Sequence, residues 1–340
     1  MSGGRSTSEE WHNAVLSLPH IYVQNANAIS SPITWGFPAI TAFVGFMTAL
    51  ERSLGDKSGI RFFGVGVVCH RFEPQVWDDG FVKRFRLARH PMGKDGNAVG
   101  IVEEGRAHLE VTLVFDVELS VDNRSDEQRS LLANRISEAV NNMRLAGGSV
   151  VGPIPGLSRK GMRPSLVLLP NNGDLRENEI AFRRLALRWL PGFALICRDD
   201  LLHGHLKEMR DFNREATALD ALLDLSRWNY RATSKGDSTD SSAIEGTGTW
   251  VADSRKGWTV PIPVGFAGLS ELYSAGAVRN ARNENMPFRF VESIYSMGQW
   301  ISPHRLRSIE ELVWYSGYDE TIGLYRCYNN YAPSHEGLVG

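Results

Sequence analysis

The chain has 340 residues, ordinary apolar and charged fractions, and a formal net charge of −2. That length builds one large domain or two smaller ones around a real core. A near-neutral chain does not engage nucleic acid with its whole surface, so any such contact must be local.

Residues 1–14 are polar, lack the apolar centre of a signal peptide and read as a mobile tail. Residues 19–28 (PHIYVQNANA) alternate as a strand, with Ile21 and Val23 on one face and Tyr22 and Gln24 on the other. Asn25 and Asn27 fall at the end of this strand, and two prolines and a glycine then predict a loop that carries Ser30, Ser31 and Trp35 into the next element. Ala39–Leu54 has an apolar stripe of Ile40, Phe43, Val44, Met47 and Leu50 and reads as a helix. Gly45 lowers its propensity and predicts a close neighbour. Phe37–Leu50, the longest oily run, is too short for the roughly 20 residues that span a bilayer.

Residues 60–72 (IRFFGVGVVCHRF) read as a buried strand. Residues 106–119 alternate, with Leu109, Val111, Leu113 and Phe115 facing one way. Asp126–Leu145 reads as a helix capped by Ser125 or Asp126, with Leu131, Ile136, Val140 and Met143 inward, ended by Gly147 and Gly148. Ser149–Val151 starts another strand. The order strand, helix, strand, strand, helix, strand is the split βαβ, ferredoxin-like arrangement of an α+β protein. It covers residues 15–155, with 73–105 as an insertion too long for a simple connection. Residues 156–230 read as mainly helical, through Glu177–Leu190 and Leu201–Tyr230. Residues 231–249 are rich in Ser, Thr, Gly and Asp and read as a mobile loop. Residues 250–340 form a mixed region with aromatic, ordered-looking stretches at 257–273 and 287–304.

Three places hold residues suited to polyanions. The insertion contains FVKRFRLARHPMGK, where Lys83, Arg84, Arg86, Arg89 and Lys94 interleave with Phe81 and Phe85. Guanidiniums grip phosphates and aromatic rings stack on bases, although the same run reads equally as a solvated basic hairpin. Arg144 with Gly147, Gly148 and Ser149 offers a turn whose backbone a phosphodiester can approach; a plain helix-end glycine motif is the competing reading. Arg279, Asn280, Arg282, Arg289, His304, Arg305 and Arg307 make a third cluster, for a polyanion, a partner or the fold.

Catalytic and metal signatures are absent from the sequence: no P-loop, dinucleotide fingerprint, GxSxG or HExxH. Cys69, Cys197 and Cys327 are far apart and offer no metal spacing, which suits a reducing cytoplasm. His70, His90, His108, His203, His205 and His304 lack partnered motifs, and a strand histidine is more often hydrogen-bonded core than acid–base.

Taken together, QNANAISSPITWGFPAITAFVGF, GVGVVCHRFEPQV, IVEEGRAHLEV, MRLAGGSV, LPGFAL, TALDALLDL, GWTVPIP, VRNAR, PFRFVESIY and SPHR resemble, in order and from residue 24 to about 305, the second Csy subunit of the type I-F CRISPR surveillance complex. The tail, residues 231–249 and the last thirty or so residues depart from that pattern. The resemblance implies a RAMP-superfamily palm, ferredoxin-like and RRM-like, with residues 73–105 as its thumb and LAGGSV as the glycine-rich loop. It implies a cytoplasmic, non-catalytic RNA-binding subunit without metal or cofactor. Such a subunit holds the 5′ handle of the CRISPR RNA, pairs with the large Csy subunit and abuts the first repeated backbone subunit. It meets target DNA mainly through the assembled complex, and a separate endonuclease processes the guide.

On that basis Lys83, Arg84, Arg86 and Arg89 are assigned to handle phosphates, and Arg144, beside the glycine turn, to RNA contact. Gly147 and Gly148 are assigned to close backbone approach and Ser149 to a hydroxyl contact. Asn25 and Asn27 would read base edges or ribose hydroxyls, since an amide both donates and accepts. Ser30 and Ser31 serve RNA or a partner and Trp35 stacks or meets a partner; the alternative is that the Asn and Ser side chains only tie up loop backbone. Arg279, Arg282 and His304 meet either RNA or the large subunit. The alternative is a metal-independent RAMP endonuclease that cuts repeat RNA with His70, His90 or His304.

Overall fold

The computed structural model describes residues 11–78, 80, 82–89, 92, 95–98, 100–152, 163–170, 175–233, 249–252 and 257–332. Its first element, β1 (Trp11–Asn27), begins at Trp11 rather than near residue 19. Pro19 explains the difference. Proline ordinarily interrupts a ladder, but here Pro19 and His20 form a bulge, and pairing on the neighbouring strand jumps between Leu18 and Ile21. The stretch before it, Ala14–Leu18, is buried on both faces, so it shows no alternation. Residues 11–14 are therefore strand and not tail; residues 1–10 lie outside the described residues.

A small hairpin, β2 (Ile29–Ser31) and β3 (Thr34–Trp35), replaces the expected simple loop and leads into α1 (Ile40–Leu54). All five residues of the expected α1 stripe are buried, but a side chain at Gly45 would meet nothing within 4 Å, so no close neighbour explains that glycine. There follow β4 (Ile60–Pro74), an inserted three-stranded antiparallel sheet of β5 (Val76–Asp78), β6 (Lys83–Arg89) and β7 (Ile101–Glu104), and then β8 (Arg106–Ser120). Helix α2 (Asp126–Val140) is closed at its start by a Ser125–Gln128 capping box. Its inward residues are Leu132, Ala133, Ile136 and Val140; Leu131 is exposed.

The helix is shorter than Asp126–Leu145 because β9 (Arg144–Leu145) and β10 (Gly148–Val151) form a hairpin immediately after it. Next come β11 (Ser165–Leu168), α3 (Leu175–Ala186) and β12 (Phe193–Cys197). The expected long helix over 201–230 is two: α4 (Asp199–Phe212) and α5 (Ala218–Ser226), the second started by a Thr217–Asp220 capping box. The remainder is β13 (Tyr230–Thr233), β14 (Thr249–Ala252), β15 (Trp258–Gly268), β16 (Val291–Ile301), α6 (Ile309–Leu312), β17 (Tyr315–Asp319) and β18 (Leu324–Tyr328). Residues 234–248, most of the expected loop, lie outside the described residues.

The result is a mixed α+β fold on one large, curled, antiparallel sheet. Eleven strands among the described residues join it, in the order β17-β18-β15-β16-β12-β4-β8-β1-β10-β9, with β11 also pairing β1. Its centre is covered on both faces. On one face Leu16, Val23, Leu109, Leu113 and Phe115 pack with Phe43, Met47 and Leu50 of α1 and Ile136 of α2. On the other, Val15, Val68 and Val114 pack with Phe182 and Leu185 of α3, Trp189, Leu306 and Leu312. Two buried indoles find hydrogen-bond acceptors: Trp189 Nε1 donates to Ser17 Oγ at 3.2 Å and Trp314 Nε1 to the Leu195 carbonyl at 2.8 Å.

Candidate nucleic-acid interface

Near its end β1 bulges a second time, with its register jumping between Val23 and Ala26. Asn25 there has φ 57°, a left-handed conformation that Asn tolerates better than most residues. The bulge turns Gln24 and Asn25 outward. The Gln75 amide donates to Asn25 Oδ1 and sits 3.1 Å from His108 Nε2, while the Asn25 N–H donates to His108 Nδ1 at 3.3 Å.

The glycines of LAGGSV sit in the β9–β10 hairpin, not at a helix end. Leu145 pairs with Gly148, and the two loop residues, Ala146 (φ 48°) and Gly147 (φ 76°), are both left-handed, as a type I′ turn requires. The Asn27 N–H donates to the Ala146 carbonyl at 2.8 Å and docks this turn on β1. The two glycines differ in role. Gly147 is exposed, and a Cβ there would meet only Arg106 Nη1, at 4.0 Å. Gly148 is buried, and a Cβ there would lie 2.6 Å from the Gln24 carbonyl oxygen. Gly148 is thus required by packing against β1. Arg144 donates from its guanidinium to the Gly147 carbonyl and lies over the turn.

The inserted sheet forms the opposite wall. Arg86 and Glu104 are directly paired across β6 and β7. Arg106 Nε donates to Glu104 Oε2 at 3.1 Å, and its Nη1 reaches the Asn25 carbonyl at 3.5 Å. Between the walls is a cleft of about 410 Å³, lined by Gln24, Asn25, Gln75, Arg86, Glu104, Arg106, Arg144, Gly147 and Ser149 among others. Three arginines and one glutamate line it, beside amides and a hydroxyl. Such a lining can grip phosphates bidentately and offer donors and acceptors to ribose or base edges.

Six of the residues singled out in the sequence converge here: Asn25, Arg86, Arg144, Gly147, Gly148 and Ser149. Gln24, Gln75, Glu104 and Arg106 were missed. Their signal was available. They flank an insertion or end a strand, and the two ends of an insertion between adjacent antiparallel strands must lie side by side, as the 2.8 Å bond from the Gln75 N–H to the Arg106 carbonyl records.

The other candidates are placed elsewhere. Asn27 closes on its own chain, donating to the Ile29 carbonyl at 2.8 Å and accepting from the Ile29 N–H at 3.1 Å. Ser30 and Ser31 bond Thr34 within the β2–β3 hairpin. Trp35 is exposed yet meets Phe85 of the inserted sheet edge-on, ring centroids 5.5 Å apart. Arg84 is exposed on β6, and Lys83 lies 3.7 Å from Asp78. Arg89 ends β6; Phe81, His90 and Lys94 fall outside the described residues.

Arg279 and Arg282 are exposed in the connection between β15 and β16, at the far end of the sheet. Ala194 pairs with both Val68 and Ile301, so β16 runs parallel to β4, and Val291 lies toward the Ile60 end, whereas the cleft adjoins Pro74. His304 is exposed in a short turn after β16, with Nδ1 2.8 Å from Ser302 Oγ.

His70 is built into the fold. Nδ1 lies 2.6 Å from the Pro191 carbonyl, Nε2 lies 2.7 Å from Thr112 Oγ1, and its ring stacks on His20 at 4.1 Å. Burial lowers its pKa below the ordinary 6.5, favouring the neutral ring. His205 Nε2 lies 2.8 Å from Asp224. Burial also raises the thiols of Cys69 and Cys197 to about 12 and that of Cys327 to about 11, so these sulfurs stay protonated at neutral pH. Among the described residues no group of three or more His, Cys, Asp or Glu side chains is placed to hold a metal ion, and no helix is long and apolar enough to cross a membrane.

A family model described as "CRISPR-associated protein (Cas_Csy2)" matches residues 16–327. A protein of Pseudomonas aeruginosa (strain UCBPP-PA14), described as "CRISPR-associated protein Csy2", is 44% identical over 315 residues, covering 92% of this chain and 94% of its own length.

Proposed function

The chain belongs to the Csy2 family of type I-F CRISPR systems, and from that premise we propose that it is a non-catalytic RNA-binding subunit that holds the 5′ handle of a CRISPR RNA in the cleft beside the inserted sheet. The observation that carries this reading is the convergence of Arg86, Arg106 and Arg144 on one cleft with Asn25 and the Gly147 turn. Single-stranded RNA is held through phosphates and splayed bases, and a concave arginine-lined wall suits both. The sheet order β4-β8-β1-β10, with α1 and α2 on one face, supports reading residues 15–155 as the ferredoxin-like, RRM-like RAMP palm and 73–105 as its thumb.

In this reading the subunit works in the cytoplasm, pairs with the large Csy subunit, abuts the first backbone subunit and meets target DNA through the assembled complex. The regions 156–230 and 250–340 support the palm and its partners. Target sequence is read by guide–target base pairing, so this subunit needs only to fix the handle. The endonuclease alternative gains nothing from His70, whose two ring nitrogens both face protein groups.

The test is equilibrium binding of handle RNA across a salt series. Replacing Arg86, Arg106 and Arg144 by Ala together is expected to weaken binding and to flatten the slope of log K against log salt by about 2, the loss of three phosphate contacts on a single strand. Unchanged affinity and slope would remove the cleft from the RNA site. Metal-independent, site-specific cleavage of repeat RNA that a His→Ala change abolishes would replace this reading with the endonuclease.

A further inference from the structure

We propose that Trp77 is a stacking platform for one unpaired base of the RNA, placed where the strand leaves the arginine-lined cleft; this rests on the RNA-binding reading above. In the inserted sheet Trp77 is directly paired with Arg84, Val76 with Phe85 and Asp78 with Lys83. Directly opposed residues project to the same face, and residues two apart on one strand share it. Trp77, Arg84 and Arg86 therefore share one face of the thumb. Glu104, paired with Arg86, continues that face on β7. Arg86 and Glu104 both line the cleft, so Trp77 and Arg84 extend its wall outward.

The opposite face of the sheet has a different task. Phe85 projects there and packs edge-on against Trp35, which seats the thumb on the β2–β3 hairpin. Trp77 has no share in that contact, and 68% of its surface is exposed. A large indole left open beside two guanidiniums suits a planar ring attached to a phosphate: the indole takes the base and the cations take the backbone on either side. Stacking of this kind is tolerant of base identity, because every base has a flat face.

The experiment uses the full chain, with Trp77→Ala and Trp77→Phe, against handle RNA and the same RNA carrying a single abasic nucleotide moved along its length. Trp77→Ala is expected to weaken binding about five- to a hundredfold, with the salt slope unchanged since no charge is lost. Trp77→Phe should keep most of the affinity. At one abasic position, wild type and Trp77→Ala should bind alike. Wild-type affinity for Trp77→Ala on intact RNA overturns the proposal, as does a loss of equal size at every abasic position. Wild-type RNA binding with reduced retention of the large subunit also overturns it and makes the indole a protein contact. If Trp77→Ala melts early, the Phe variant on the abasic series carries the test. Failure of the cleft reading looks different: there the triple arginine variant binds RNA as wild type does.

Discussion

The cleft beside the inserted sheet and the connection between β15 and β16 are both rich in arginine, and the fold gives them opposite surroundings. In the cleft, residues of six strands, the β9–β10 turn and the link between β4 and β5 line one concavity: Asn25 from a bulge, Gln75 and Arg106 from the two ends of the insertion, Arg86 from the inserted sheet, Arg144 from the hairpin. In the connection, Arg279 and Arg282 are exposed on a single segment, and Arg289 is a packing residue. Its stem lies 2.9 Å from where a Cβ on Gly268 would sit, its guanidinium fills the space above Gly323, and Nη1 reaches Tyr318 Oη at 3.4 Å. A run of positive residues in a sequence is common to both regions. Convergence of charges from distant segments on one concavity is found in the cleft, and it is convergence that lets several charges act on one polyanion.

The sharpest way to break this comparison is to remove charge from each region separately. The Arg86/Arg106/Arg144 triple Ala variant should lose on the order of a hundredfold in handle-RNA affinity at moderate salt. The Arg279/Arg282 double Ala variant should stay within about threefold, with any larger deficit confined to retention of partner subunits. Equal losses in both would erase the distinction.

The turn that forms one wall can be tested next, by thermal denaturation. Gly148→Ala forces a methyl group against the Gln24 carbonyl and should cost about 1–3 kcal/mol, a clear drop in Tm. Gly147→Ala keeps the space but not the left-handed conformation and should cost about 1–2 kcal/mol, with Gly147→Asn recovering much of it. A Gly148→Ala protein as stable as wild type would contradict the packing role. A smaller effect is expected for Asn27→Ala and Ser31→Ala. These side chains bond their own loop, so each should cost about 1 kcal/mol of stability and shift RNA affinity less than about twofold. The reverse pattern would return Asn27 and Ser31 to the RNA site.

The smallest effect is in pH. His70 has a folded-state pKa below its ordinary 6.5, so the unfolded chain binds the proton more readily. The stability it contributes is present above about pH 6.5 and is lost as pH falls below that value. Urea denaturation between pH 7.5 and 5 should show the decline, and His70→Gln should flatten it. An identical decline in the variant would assign it to other groups.

How much of this could be read from the sequence follows from which interactions are local. The α1 stripe and the Ser125 cap are local, and both were legible. The β1 start was hidden because a bulge lets Pro19 sit inside a long strand. The hairpin at LAGGSV reads as a helix end in the sequence because glycine after a helical pattern is ordinary; the two asparagines before it, Asn141 and Asn142, are the better sign of the helix terminus. Half of the cleft was legible, in Arg86, Arg144 and Gly147, because charge and glycine stand out in a sequence. Arg106, Gln75 and Trp77 became visible only through pairing: Gln75 meets Arg106 at the base of the insertion, and Trp77 gains its meaning from Arg84 across a strand.

The central claim is that RNA lies in the cleft beside the inserted sheet, and ultraviolet crosslinking of handle RNA to the full chain, with the linked peptides read by mass spectrometry, tests it most directly. Crosslinks are expected in peptides holding Gln24–Asn25, Gln75–Arg89, Glu104–His108 and Arg144–Ser149. Crosslinks confined to residues 269–307, with none in those peptides, would contradict it.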